Sequence, residues 1–195
     1  MQRFAFVLIA VLCGIRSAAS YFGDDLILHG NNLHLVGNRG KVYGDNCNVV
    51  GDSCDIYGND GKIVGDNGVI VGARGMIVGN NGNITGSNGK ITGTNAGIQG
   101  DNAHVNGENA VVIGDNAKVT GQNARIIGNN GTIVGDYGTI HGNNGVIRGY
   151  SARIVGDNGV IYGKGGTISG AGGHIYENDS VVVNSVGIII TNGNW

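Results

Sequence analysis

From Gly23 to Tyr176 a large apolar residue returns once in every seven positions, and the pattern continues in degenerate form from Glu177 to Ile190. Counting each heptad from its leading Gly, position six is Leu28, Leu35, Val42, Val49, Ile56, Ile63 and so on to Ile189, a branched aliphatic in all twenty-four copies. Position four is small, as in Gly68, Gly89, Ala96, Ala103, Ala110 and Ala117. Side chains two apart point to one side of an extended strand, so positions four and six predict a narrow interior of one small and one branched residue per strand. Positions five and seven face outward and vary freely, from Lys41 and Lys62 to Val69, His104 and Arg125. Positions one to three, such as Gly65-Asp66-Asn67 or Gly128-Asn129-Asn130, are residue types that tolerate positive φ and hydrogen-bond their own backbone. They predict the corners of a stacked coil.

A helix is excluded because a Gly in every heptad, with Asn-Gly pairs and β-branched residues between, opposes helical propensity throughout. A hairpin meander is the structural rival, since Asn-Gly is a strong hairpin signal. One identical face pattern per unit favours strands that all run the same way. Seven residues are too few to close a ring, leaving coils of 14 or 21 residues. At spacing 21, the outward residues Val50, Val71, Thr92, Ile113, Val134 and Val155 form one mostly aliphatic column. At spacing 14, Val36, Val50, Val64, Val78 and Thr92 align, but that column then meets Asn106 and Arg148. The expectation is therefore an all-β, single-domain parallel β-solenoid with three faces and about 21 residues per coil. Its eight triangular coils would stack to roughly 35 to 40 Å.

The phrases Ile113-Gly114-Asp115-Asn116-Ala117 and Ile127-Gly128-Asn129-Asn130-Gly131 resemble the hexapeptide repeat of left-handed β-helix proteins, over nearly the whole repeat region. That resemblance implies three strands per coil. The repeat here has one residue more throughout, between the buried aliphatic and the Gly, which leaves handedness open. Many hexapeptide proteins are acyltransferases whose catalytic His and substrate loops interrupt the coils. No matching insertion exists here, so no such activity is carried over. In size and repeat simplicity the chain also looks like the secreted β-solenoids of insect antifreeze proteins, which implies an ice-binding array of Thr on one face. Thr85, Thr92, Thr120, Thr132, Thr139 and Thr167 form no continuous column at either coil length.

Composition adds a compartment. Met1-Gln2-Arg3, the apolar run from Phe4 to Ile15 and the small residues Ser17 to Ser20 read as a cleaved signal peptide over 1–20, followed by a solenoid domain over 21–195. The apolar run is shorter than the roughly 20 residues that span a bilayer, so no membrane role is expected. The terminal coils, about 23–43 and 177–195, are atypical: Leu26, Ile27, Leu28, Leu33 and Leu35 crowd the first, and Val181 to Val183 and Ile188 to Ile190 the last. They read as caps or as end-to-end docking surfaces. With 40 Gly and no Pro, collagen is excluded, and the formal net charge of −2 gives no footprint for nucleic acid.

Candidate chemistry is sparse. Cys47 and Cys54 sit at position four of successive heptads, and in an oxidising compartment a disulfide between them is expected. His29, His34, His104, His141 and His174 form no spaced cluster, and Asp66, Asp101, Asp115 and Asp157 recur at a period that does not match calcium-binding nonapeptides. No metal or cofactor is expected. Asn83, Asn130 and Asn178 each open an Asn-x-Ser/Thr glycosylation sequon. The functional expectation is a secreted, extracellular, non-catalytic structural or assembly protein, a rigid rod in a coat, fibre or secretion. Its partners would be further copies through the terminal coils, or an extracellular matrix or polysaccharide. The alternatives are ice binding, and a secreted recognition or defence factor using the strip from Val50 to Val155.

Overall fold

The computed structural model describes residues 9–11, 19–176, 181–183 and 188–190, with side chains described over 19–176. The chain is a parallel β-solenoid of fourteen residues per coil, with two faces. Strands alternate between two sheets of thirteen, and each strand pairs with the strand two places on in sequence. Register follows the doubled heptad: Ile77 lies beside Ile63 and Ile91, and Ile126 beside Val112 and Ile140. Sheet 1 begins with Ile9–Val11 and Ile27–His29 and runs to Val181–Val183; sheet 2 begins with Ala19–Phe22 and Leu33–Val36 and runs to Ile188–Ile190.

The expected 21-residue, three-faced coil is thus corrected to a flattened one, and the cause lies in the corner. Position one is Gly at φ near 150°, as at Gly93 (151°), and position three is left-handed, as at Asn95 (56°). Together they return the chain onto the opposite sheet, so two heptads close one coil. From Ile27–His29 to Thr167–Ser169, ten spacings of about 4.8 Å carry sheet 1 along roughly 48 Å of shaft. Twenty described non-Gly residues adopt positive φ, all at position three; Asn dominates them because its short amide tolerates this region best.

Position one must be Gly for a second reason. A Cβ at Gly128 would strike the carbonyl oxygen of Gly114 in the coil before. Corners therefore stack backbone on backbone, and their polar groups are shared between coils. The N–H of Gly128 donates to the His141 carbonyl at 2.9 Å, that of Asn130 to the Asn143 carbonyl at 2.9 Å, and that of Thr132 to the Ala117 carbonyl at 2.8 Å.

Positions four and six fill the interior as expected, and no charged or polar side chain is buried among the described residues. Burying each Ile or Val stabilises by about 1.5 to 3 kcal/mol before entropy is counted. The small residue is sized to its neighbour. A Cβ at Gly138 would lie 2.9 Å from Ile133 Cγ2, the large residue five positions earlier on the facing sheet, and at Gly145 3.0 Å from Ile140 Cγ2. Where that large residue is Val, the small one is Cys or Ala, as at Val42 with Cys47, Val49 with Cys54, Val105 with Ala110, Val112 with Ala117 and Val119 with Ala124; Ile takes Gly in most copies and Ala at Ala96, Ala103 and Ala152.

At the first coil position four is itself large, and Leu26, Leu28, Leu33 and Leu35 are all buried. The greasy start is thus interior leucine. The expected leader over 1–20 lies mostly outside the described residues; within it Ile9–Val11 pairs with Ile27–His29, and Ala19–Phe22 with Leu33–Val36. The expected C-terminal cap over 177–195 also lies largely outside them.

Candidate binding face

Each sheet presents two outward columns, from positions five and seven, and the fourteen-residue register fixes their membership. On sheet 2 the position-five column reads Lys62, Met76, Lys90, His104, Lys118, one residue per coil. Beside it the position-seven column runs Val36, Val50, Val64, Val78 and Thr92. Val50, Val64 and Val78 are each about two-fifths exposed. The two columns together form an apolar stripe flanked by cations.

No Asp or Glu stands among the outward residues of sheet 2 between His34 and Tyr176. Apart from Asp55, at position five on sheet 1, the described acids sit on the rims, at positions two and three, for a structural reason. Asp115 Oδ1 accepts the backbone N–H of Asn129 at 2.7 Å, Asn129 Oδ1 that of Asn143 at 2.9 Å, and Asn143 Oδ1 that of Asp157 at 2.8 Å. An acceptor two bonds beyond Cβ answers a corner N–H that has no carbonyl partner. The recurrence of Asp at position two therefore reflects backbone pairing, and among the described residues no three His, Cys, Asp or Glu side chains converge to hold a metal ion.

Position three builds a second ladder. Asn130 donates from Nδ2 to Asn116 Oδ1 at 3.0 Å and accepts from Asn144 Nδ2 at 3.1 Å. Arg39 forks onto both carboxylate oxygens of Asp25, each at 2.7 Å, and Arg74 onto Asp60 at 2.6 and 2.7 Å. These hydrogen bonds hold the Asp25 and Asp60 carboxyls below the usual aspartate range and push the guanidinium values up.

Two shallow depressions mark the faces. On sheet 2 a dip of about 240 Å³ is lined by Lys90, His104, Asn106, Lys118 and Thr120. On sheet 1 the missing side chain of Gly97 opens one of about 390 Å³ beside Asn83, Gln99, Val111 and Ile113. Coil spacing also stacks rings: His29, Tyr43 and Tyr57 on sheet 1 at 4.8 and 4.9 Å between centroids, and Tyr162 with Tyr176 on sheet 2 at 4.9 Å, with the Arg148 guanidinium 5.4 Å from the Tyr162 ring.

The strip expected from Val50, Val71, Thr92, Ile113, Val134 and Val155 is divided between faces. Val50, Thr92 and Val134 lie on sheet 2, and Val71, Ile113 and Val155 on sheet 1, because a spacing of 21 is one and a half coils. The Thr residues separate likewise, Thr85, Thr139 and Thr167 on sheet 1 and Thr92, Thr120 and Thr132 on sheet 2.

The expected disulfide is absent, and Cys47 and Cys54 are buried free thiols. In a two-faced coil, successive position-four residues turn to opposite rims. Cys47 Sγ donates to the Gly30 and Asp45 carbonyls at 3.6 and 3.4 Å, and Cys54 Sγ to those of Gly37 and Asp52 at 3.3 and 3.4 Å. A strand of about 10 Å separates the rims, more than a disulfide spans. Burial pushes both thiols above their ordinary range. Of the sequons, Asn83 is exposed on sheet 1, Asn130 is held in the amide ladder, and Asn178 lies outside the described residues.

The lysine column was missed in the sequence. Its signal, Lys at 62, 90 and 118, has a period of 28, which means a straight column only if the coil is fourteen residues.

No protein-family model matches the chain, and no curated protein sequence matches it. Among solved structures it is similar to the A-module of the Azotobacter vinelandii mannuronan C-5 epimerase AlgE6, at 14% identity and a TM-score of 0.30, over 87% of this chain and 74% of that one. QnrB1, a plasmid-mediated fluoroquinolone resistance protein, follows at 9% identity and 0.25, over 73% and 84%. The receptor-binding domain of the Siphovirus 9NA tailspike gives 12% and 0.27, over 89% and 53%. Likeness at this level carries no function across.

Proposed function

We propose that this protein is a secreted, non-catalytic structural rod that assembles outside the cell in a coat, fibre or secretion. One observation carries the reading: from Ala19 to Tyr176 every connection between strands is a corner of three or four residues, with no insertion that could serve as a lid or carry a substrate loop. A stack of equal coils is stiff because each layer is held to the next by backbone hydrogen bonds along its whole perimeter. It leaves strand edges at its ends, and unpaired edges recruit further strands. Secretion is supported by the basic start and short apolar run of the first twenty residues. The test is light scattering with electron microscopy on the secreted chain over a rising concentration series. Rods that lengthen in steps of one molecule are expected; persistent monomers at high concentration would remove the assembly claim.

Recognition is a second reading with an observation behind it. Val50, Val64 and Val78 form an unbroken exposed apolar column on one sheet, continued by half-buried Val36, and such contiguous surface on a monomer marks contact with something else.

A further inference from the structure

We propose that sheet 2 binds an extended acidic polysaccharide, laid along the shaft with its anionic groups on Lys62, Lys90 and Lys118. This goes beyond the structural-rod reading and does not depend on it.

Charge placement comes first. The chain has a net charge of −2, yet the outward residues of sheet 2 include Lys62, Lys90, Lys118 and Arg148 and no carboxylate. Asp45, Asp101 and Asp115 stand on one rim and Asp52, Asp66 and Glu108 on the other. The result is a positive strip about 10 Å wide, the length of a three-residue strand, between negative borders. A bilayer or a nucleic-acid duplex is wider than this strip and would press its phosphates against the rims. A single thin chain fits between them.

Spacing narrows the class. Lys62, Lys90 and Lys118 are exposed and fall on every second coil, so their ammonium groups recur at roughly 9.6 Å. Nucleic acid carries a phosphate about every 3.4 Å along each strand of a duplex and, when single-stranded, is held by aromatic platforms. The stretch from Lys62 to Lys118 has no aromatic ring except the imidazole of His104. A polysaccharide charged on alternate sugars has the sparser period. Its C–H faces would rest on Val64 and Val78, and its hydroxyls would reach Thr92, Asn106 and Thr120, the last two lining the depression between Lys90 and Lys118.

The experiment titrates the full chain with oligomers of hyaluronan and of unsulfated chondroitin, both charged on alternate sugars, with neutral dextran, single-stranded DNA and phosphatidylglycerol vesicles alongside. Saturable binding to an acidic oligosaccharide is expected, with a salt dependence that becomes shallower in K62Q/K90Q/K118Q. That variant should lose at least tenfold in affinity. K41Q/R125Q/R153Q, which removes three cations from sheet 1, should lose less than twofold. Circular dichroism must show both variants folded, and since all six side chains are outward this is expected. Equal losses in the two variants, unchanged affinity in the first, tighter binding of DNA or vesicles, equal binding of dextran, or no binding of either acidic oligomer at low salt would overturn the proposal.

Discussion

At the residue scale, position six and the position four that follows it by five residues share one interior space. Gly138 opposes Ile133, and its absent Cβ would sit 2.9 Å from Cγ2, too close for comfortable contact. Gly138→Ala should therefore destabilise by about 1 to 3 kcal/mol through overpacking. Ile133→Val alone should cost about 0.5 to 1.5 kcal/mol through a cavity. The double variant should recover part of the loss, because Ile133→Val removes Cδ1, 3.3 Å from the added Cβ, while the closer Cγ2 stays. Denaturant midpoints for the four proteins of that cycle measure the coupling; strict additivity would show that the two sites do not share one space. The thiols give a second residue-scale expectation. Cys47 and Cys54 are buried with raised thiol values, so an alkylating reagent at neutral pH should modify neither in the native chain and both on unfolding.

At the scale of the element, the corner ladders answer backbone groups that the strands leave over. Removing the acceptor in Asp115→Ala leaves the Asn129 N–H without its 2.7 Å partner, at a cost of about 1 kcal/mol, and hydrogen exchange at that amide should accelerate first. The two Arg–Asp forks add a pH dependence. Asp25 and Asp60 are held below the ordinary aspartate range in the folded chain by hydrogen bonds from Arg39 and Arg74. Their contribution is present above the unfolded aspartate value, near 3.9, and is lost as pH falls through the lower folded values. The stability difference between the native chain and R39Q/R74Q should accordingly be small, flat near neutrality, and vanish at the acid end. It should also shrink with added salt, since both carboxylates are exposed.

For the whole molecule, the coil length governs what can be removed. Deleting residues 114–127, one complete coil, brings Ile113 against Gly128 with every face kept in register. The product should fold as a shaft shorter by about 4.8 Å, measurable by small-angle scattering, with both outward faces intact. Deleting seven residues should also preserve the interior, because the heptads are equivalent inside. It should, however, move every downstream outward residue to the other sheet, parting Lys62 and Lys90 from Lys118 if the cut falls between them. A three-faced coil would give the opposite result for the fourteen-residue deletion, displacing the faces beyond the cut.

The sequence alone determined what each heptad does: which residue is buried, which face water, where Gly and Asn turn the corner, and that strands stack in parallel. All of that is settled within about seven residues by strand alternation and by the backbone conformations open to Gly and Asn, so it repeats legibly twenty-four times. Only the tertiary structure decided how many heptads close a coil. Heptads that close in twos or in threes satisfy the same interior pattern, and the outward aliphatic column that favoured threes lay at positions packing scarcely constrains. The corner angle made the choice, and with it the neighbours: Cys47 and Cys54 on opposite rims, Val50 apart from Val71, and Lys62, Lys90 and Lys118 in one line. Adjacency between coils is a long-range property set by closure of the ring, and no single repeat carries it.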